Sequence, residues 1–229
     1  MKENILIIDV ETAGTIEKPL VYDLGFAIYT KDKELIEKNS LLILEIFDDS
    51  KLMNSAYYSE KVPTYKTELQ EGRHELVTFK EALQRMGDLI KKYDVKTLSA
   101  YNLAFDLRAL ENTGRVLLNR ELKFESYQKL CIMGFACQVV FTQKTYQKVA
   151  TREGWISEKG NLRTTAEVAY RYLTGEYQFM EEHKGLADVE IEAEILKLCQ
   201  RQKKKVKRGI IGNAWRIPNS IQFKMARAT

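Results

Sequence analysis

Two hydrophobic periods alternate along this chain. Asn4-Ile5-Leu6-Ile7-Ile8-Asp9 carries four consecutive apolar residues, three of them β-branched. That is the pattern of a strand buried on both faces and central in its sheet. A turn is expected around Thr12 to Gly14. Val21 to Tyr29 and Leu35 to Ile46 read as two further strands joined at Lys31-Asp32-Lys33, so the chain opens as a three-strand meander. The period then changes. Thr78-Phe79-Lys80-Glu81 has capping-box spacing, and Phe79, Ala82, Leu83, Met86, Leu89, Ile90 and Tyr93 fall on one helical face. Thr97 to Tyr101 reads as a short strand that delivers the chain into a helix capped by Asn102 and running toward Gly114. The stretch 120–160, with Leu130, Ile132, Phe135, Val139 and Val140, reads as mainly helical. Thr164 to Leu173, closed by Gly175, is a short helix, and Leu186, Val189, Ala193 and Leu196 mark a last amphipathic one.

Length and composition narrow the class. A chain of 229 residues suits one α/β domain with an appendage, and 45% hydrophobic with 30% charged residues is a globular balance. No apolar run approaches the length of a membrane span, and Ile5 to Ile8 is too short for a signal-peptide core, so a cytoplasmic protein is expected. Cys131, Cys137 and Cys199 form no CxxC pair and stand near no paired histidines; reduced, mostly buried thiols are expected rather than disulfides or zinc. The net charge of +4 hides a segregation. Residues 201–229 hold nine Lys or Arg and no acid, leaving 27 basic against 32 acidic residues before them. Such a basic segment either follows a phosphate backbone or is a solvated end.

The candidate chemistry lies at element ends. Side chains alternate along a strand, so Asp9 and Glu11 project to the same side of the first strand about 7 Å apart. Two carboxylates there can converge on a hard cation such as Mg²⁺ or Mn²⁺. Asp106 falls in the first turn of a helix that starts where a neighbouring strand stops; taken alone it is a carboxylate complementing the helix dipole. His183, one of two histidines, precedes Asp188 by five residues at the start of the last helix. An imidazole at the mouth of an acidic site can take a proton from water.

Together, Asp9-Val10-Glu11-Thr12, Asn102 to Asp106, and His183 with Asp188 resemble in order, type and spacing the three motifs of the DEDDh branch of the DEDD 3′–5′ exonuclease superfamily, which includes polymerase proofreading subunits. The sister branch has a tyrosine four residues before the final aspartate, where this chain has Lys184. Val21 to Ile28 is similar to the second strand of phage-encoded members. The resemblance implies an α/β, ribonuclease H-like fold with a mixed five-stranded sheet flanked by helices, an exonuclease domain over residues 1–200 and a basic C-terminal tail over 201–229; the gap between Asp106 and His183 is longer than in compact members, so a family-specific subdomain or lid is expected within Arg115 to Ser157. It implies a nuclease that hydrolyses phosphodiester bonds at the 3′ end of nucleic acid, DNA ahead of RNA, using two divalent ions, Mg²⁺ or Mn²⁺. Asp9, Glu11 and Asp188 would hold one ion, Asp9 would bridge to the second, Asp106 would support that second ion through water, and His183 would be the general base. Thr12 would touch the terminal nucleotide, and a polymerase or replication protein is an expected partner.

Lys203, Lys204, Lys205, Lys207 and Arg208 would follow the phosphate backbone, and removing the tail should weaken binding while sparing hydrolysis. Tyr101, Phe105, Tyr146 and Trp155 are candidates for stacking on bases, although aromatics in a core of this size are usually packing. The rival from another class is a catalytically silent nucleic-acid-binding or polymerase-associated module of the same fold. A phosphotransfer enzyme using Asp9 as nucleophile would leave His183 unexplained.

Overall fold

The computed structural model describes residues 3–207, 209–210 and 212–220. Ile5–Gly14 forms β1, and Ile5 to Ile8 are at most 1% exposed, so the apolar run is the buried strand that its composition demands. β2 (Pro19–Tyr29) and β3 (Leu35–Ile43) complete the meander, each antiparallel to the strand before it. β1 runs past Glu11 to Gly14, so Thr12 is a strand residue and not the start of a turn. The pairing slips between Glu11 and Thr12, passing from Asp23 to Val21 and skipping Tyr22. β3 ends at Ile43, because the next residues enter α1 (Leu44–Phe47), which buries Ile46 and Phe47.

The segment that follows has no counterpart in the sequence pattern. α2 (Ser50–Met53) is capped by the Asp49 carboxylate, which accepts the Lys51 and Leu52 N–H groups at 2.9 and 3.1 Å. A short helical turn, Ser59–Lys61, leads into α3 (Val62–Gln70), and β4 (Glu75–Val77) then adds a parallel edge to β3.

α4 (Phe79–Lys92) has the capping box its sequence announces: Glu81 N–H donates to Thr78 Oγ1 at 3.3 Å and Thr78 N–H to Glu81 Oε2 at 2.9 Å. Glu45 of α1 adds a second cap by accepting the Phe79 N–H at 3.0 Å. β5 (Thr97–Ala100) and α5 (Leu103–Leu118) follow as expected. The stretch expected to be mainly helical opens instead with a strand, β6 (Gln128–Cys131), and only then forms α6 (Ile132–Val139) and α7 (Lys144–Arg152). α8 (Ala166–Thr174) is capped by Thr165 and closed by Gly175 at φ 82°, and α9 is Gly185–Arg201. The strands lie in the order β4-β3-β2-β1-β5-β6, one mixed sheet flanked by helices, with six strands where five were expected.

The chain divides into two compact units, each assembled from separated stretches. One comprises the residues up to Leu98, Ala104–Gln128 and Glu182–Glu190; the other comprises Ser99–Leu103, Lys129–Glu181 and Ile191 onward. In the second unit Tyr101, Tyr146 and Trp155 are buried in packing: Tyr101 Oη donates to the Thr164 carbonyl at 2.8 Å and Tyr146 Oη to that of Arg163 at 2.5 Å. These aromatics present no face to a nucleobase. Phe105, in the first unit, is half-buried under the Arg108 guanidinium.

The basic segment also has structure. Lys207 N–H donates to Gln138 Oε1 at 2.8 Å, Gln138 Nε2 returns a bond to the Lys207 carbonyl at 3.2 Å, and Lys204 Nζ reaches the Val139 carbonyl at 3.2 Å. The run is thus laid along α6. Further on, Asn219 is buried, its Oδ1 accepting the Leu162 N–H at 2.7 Å. Arg208, a candidate phosphate contact, lies outside the described residues.

Candidate metal centre and active site

β1 and β2 set the floor of the site. In their register Asp9 stands opposite Gly25 and Glu11 opposite Asp23. Directly paired residues of an antiparallel ladder share a face, so Asp9, Glu11, Asp23 and Gly25 all look the same way. Gly25 leaves that face bare beside Asp9, and the backbone of Gly185 settles there. A Cβ on Gly185 would come within 2.5 Å of the Gly25 nitrogen, and a Cβ on Gly25 would overlap the Gly185 carbonyl and the Leu186 nitrogen. Only glycine at both positions allows this approach.

Docking Gly185 against β2 brings the start of α9 to the acids of β1. Glu11, His183 and Asp188 each offer a ligand atom, and these atoms all lie within 4.8 Å of one another. Ligands about 2.1 Å from one Mg²⁺ are at most ~4.2 Å apart, so this spacing closes on an ion with small side-chain adjustments. Two carboxylates and an imidazole are a donor set that fits a hard or borderline divalent cation. Asp188 is 4% exposed, whereas Glu11 and His183 are half-buried, so the group opens outward from a buried acid.

Asp9 and Asp106 fall outside that 4.8 Å group. Asp9 stands on the same face of β1, half-buried, two residues before Glu11. Asp106, in the first turn of α5, is 3% exposed. Burial pushes its pKa up to about 8, against hydrogen bonds from its own backbone N–H and that of Val10, which lies between Asp9 and Glu11. The chain therefore brings the middle motif to the backbone of the first. Thr12 is half-buried one residue beyond Glu11. Lys203, Lys204, Lys205 and Lys207 are exposed and belong to the second compact unit.

Residues without any motif hold the His183–Gly185 segment. Asp23, fully buried, accepts the Tyr65 hydroxyl at 2.7 Å and the Gly185 N–H at 3.0 Å through one carboxylate oxygen. Burial raises its pKa, and those two bonds oppose the rise. Lys184 Nζ donates to Glu68 Oε1 at 2.7 Å, while Glu68 Oε2 meets His74 Nε2 at 3.0 Å. Burial alone would raise the Glu68 pKa, but the bonds from Lys184 and His74 outweigh it and hold the carboxyl below its ordinary value. The one signal in the sequence was Asp23 itself, a single acid inside the apolar run Val21 to Ile28.

No protein-family model matches the chain, and no curated protein sequence matches it. Its fold is shared with E. coli exonuclease I. A structure of that protein with a dT13 oligonucleotide superimposes with a TM-score of 0.57 at 15% identity, covering 88% of this chain and 42% of the other. Its complex with dA16 gives 0.53 at 14% identity, covering 87% and 41%. A zinc-bound complex with single-stranded DNA gives 0.54 at 14%, covering 89% and 41%. The chain thus spans about two fifths of the length of the proteins it superimposes on. The α/β, ribonuclease H-like architecture expected from the sequence is the one observed. Among the described residues, no helix is long and apolar enough to cross a membrane.

Proposed function

We propose that this chain is a metal-dependent 3′–5′ exonuclease of the DEDDh type. The observation that carries the reading is the convergence of Glu11, His183 and Asp188, from opposite ends of the sequence, to within 4.8 Å. Asp9 shares its strand face with Glu11, and Asp106 meets the amide of Val10, the residue between those two acids. Divalent ions held by Asp9, Glu11, Asp106 and Asp188 would activate a water and stabilise charge on the attacking and leaving oxygens. The protein's own part is to fix the acids on rigid elements, to hold the nucleotide end near Thr12, and to accept the water's proton at a ring nitrogen of His183. The oligonucleotides bound by exonuclease I favour single-stranded DNA as substrate. Lys203, Lys204, Lys205 and Lys207 are the cations we assign to its backbone, and a polymerase or replication protein is the partner such an activity would serve.

The test is incubation of 5′-labelled single-stranded DNA and RNA with Mg²⁺, Mn²⁺ or chelator. A ladder shortening from the 3′ end with metal and absent with chelator is expected. Asp9→Ala and Asp188→Asn should each lose on the order of a hundredfold or more, since even groups that only support metal ligands cost about 10–100-fold. Cleavage by Asp9→Ala equal to the unaltered protein would trace the activity to a contaminant. Metal-dependent binding of the oligonucleotide without any shortening would favour the silent module of the same fold.

The placement of His183 among the carboxylates also permits a ring nitrogen to ligate an ion directly. Calorimetric Mn²⁺ titration of His183→Ala separates the roles. Retained affinity with lost turnover fits a base; lost affinity fits a ligand.

A further inference from the structure

His183 is not held by the acids alone. Its φ is 50°, in the left-handed region that residues other than glycine seldom occupy. A backbone of that kind persists only when its surroundings over-determine it. The surroundings come from the segment after α2. The Tyr58 ring stacks on the His183 imidazole, centroids 4.4 Å apart and planes 13° from parallel. Lys61 Nζ sits 4.3 Å from the centroid of the Tyr58 ring. The same ammonium donates to the Glu182 carbonyl at 2.5 Å and reaches the His183 carbonyl at 3.4 Å. One residue after His183, Lys184 is tied to Glu68 of α3. The imidazole is thus gripped by its face, and its backbone by both adjoining carbonyls.

We infer that Tyr58 and Lys61 form a clamp that aims the His183 ring at the metal-bound reaction centre, with Tyr58 as the positioning residue. The inference rests on the function proposed above for what the ring is aimed at; the clamp itself stands on the geometry. An imidazole on a flexible loop samples many rotamers, and a face-on aromatic neighbour removes most of them without using either ring nitrogen. Tyr58 is assigned its effect through the His183 ring, on whose face it stacks.

The chain contains only His74 and His183, so histidine-labelled protein gives two sets of imidazole signals, assigned by the set missing in His183→Ala. In the metal-free protein, Tyr58→Ala should remove the ring-current displacement of the His183 ring protons and leave those of His74 in place, while Tyr58→Phe keeps both sets where they are. In the loaded enzyme, Tyr58→Ala should lower kcat by about 10- to 100-fold, the cost of a misplaced catalytic group, with KM changed less than about twofold. Tyr58→Phe should restore kcat. In a His183→Ala background, Tyr58→Ala should cost nothing more. Lys61→Met, which keeps the stem and drops the ammonium, should move the same His183 signals and serves if Tyr58→Ala does not fold.

Unmoved His183 signals in both variants, or an equal loss of kcat with and without His183, would overturn the clamp. An unaltered protein that shortens no oligonucleotide, or a His183→Ala protein as active as the unaltered one, would refute the nuclease reading instead, and the imidazole signals would still decide the clamp.

Discussion

Replacing Gly185 by alanine sets two effects of opposite sign against each other. Gly185 is the first residue of α9. Judged as a helix position, alanine should stabilise by up to ~1 kcal/mol. Judged by contacts, the new methyl would lie 2.5 Å from the Gly25 nitrogen, 3.1 Å from the Gly25 Cα and 3.2 Å from Asp23 Oδ1. Comfortable separations are about 3.5–4.0 Å, so the two backbones must part by roughly 1 Å. Gly25 sits in the sheet and cannot yield, so the start of α9 moves. Overpacking of this kind costs about 1–3 kcal/mol. The movement also stretches the bond from Gly185 N–H to the buried Asp23 carboxylate, and a buried acceptor left short of its donor costs about 1–3 kcal/mol. The steric terms exceed the helix term, and we expect a net loss of about 2–4 kcal/mol in urea unfolding, read as a lower midpoint at unchanged slope. Because Asp188 rides on the same helix, a 1 Å displacement from Glu11 should also weaken Mn²⁺ binding and lower turnover by up to ~100-fold. An alanine variant that unfolds at the same or higher urea and binds Mn²⁺ like the unaltered protein would refute the claim that the glycine pair seats the last motif.

Other expectations follow from the same physics. Asp23 has its pKa raised by burial in the folded state, so folding is favoured most below the ordinary Asp value and this contribution is lost as pH rises through the raised value. Urea midpoints of the unaltered protein relative to Asp23→Asn should therefore fall as pH rises above the ordinary Asp range, and a flat difference would contradict it. All three cysteines are buried, and burial pushes the Cys199 thiol up to about 12, so a colorimetric disulfide reagent should find almost no thiol until the protein is unfolded. Exchanging Lys203, Lys205 and Lys207 for methionine should weaken single-stranded DNA binding and flatten its salt dependence, measured by fluorescence anisotropy, by about 0.7 in log–log slope for each phosphate that is no longer neutralised. An unchanged slope would remove these lysines from the interface.

What the sequence disclosed, and what it hid, divides by the range of the interactions involved. β1 and α4 were legible because each is a long local pattern: a four-residue apolar run, and a capping box followed by a helical stripe. β4 and β6, at three and four residues, are too short for a period to register, and they exist because a neighbouring strand supplies their ladder. α1 and α2 are equally short, and Glu45 matters by capping a helix that begins 34 positions later. The candidate site follows the same division. Its acids and histidine follow a recognisable order, although Asp9 and Glu11 lie within β1 and not at the strand end that the sequence suggested. Their supports do not: Asp23 and Gly185 are 162 positions apart, and Tyr58, Lys61, Tyr65 and Glu68 matter only once α3 is folded against the last motif. No window of sequence contains both members of those pairs.

The C-terminal stretch offers a practical lesson. Asn219 acts as a plug: its amide meets both backbone groups of Leu162, and Gly134 is shaped to admit the Ile210 carbonyl. Trimming the chain near residue 200, the natural way to ask what the lysines do, would uncork the second unit and leave those polar groups facing a hole. Loss of DNA binding in such a shortened protein would report a damaged interior as readily as missing charge, so the lysines are best neutralised one by one in the intact chain.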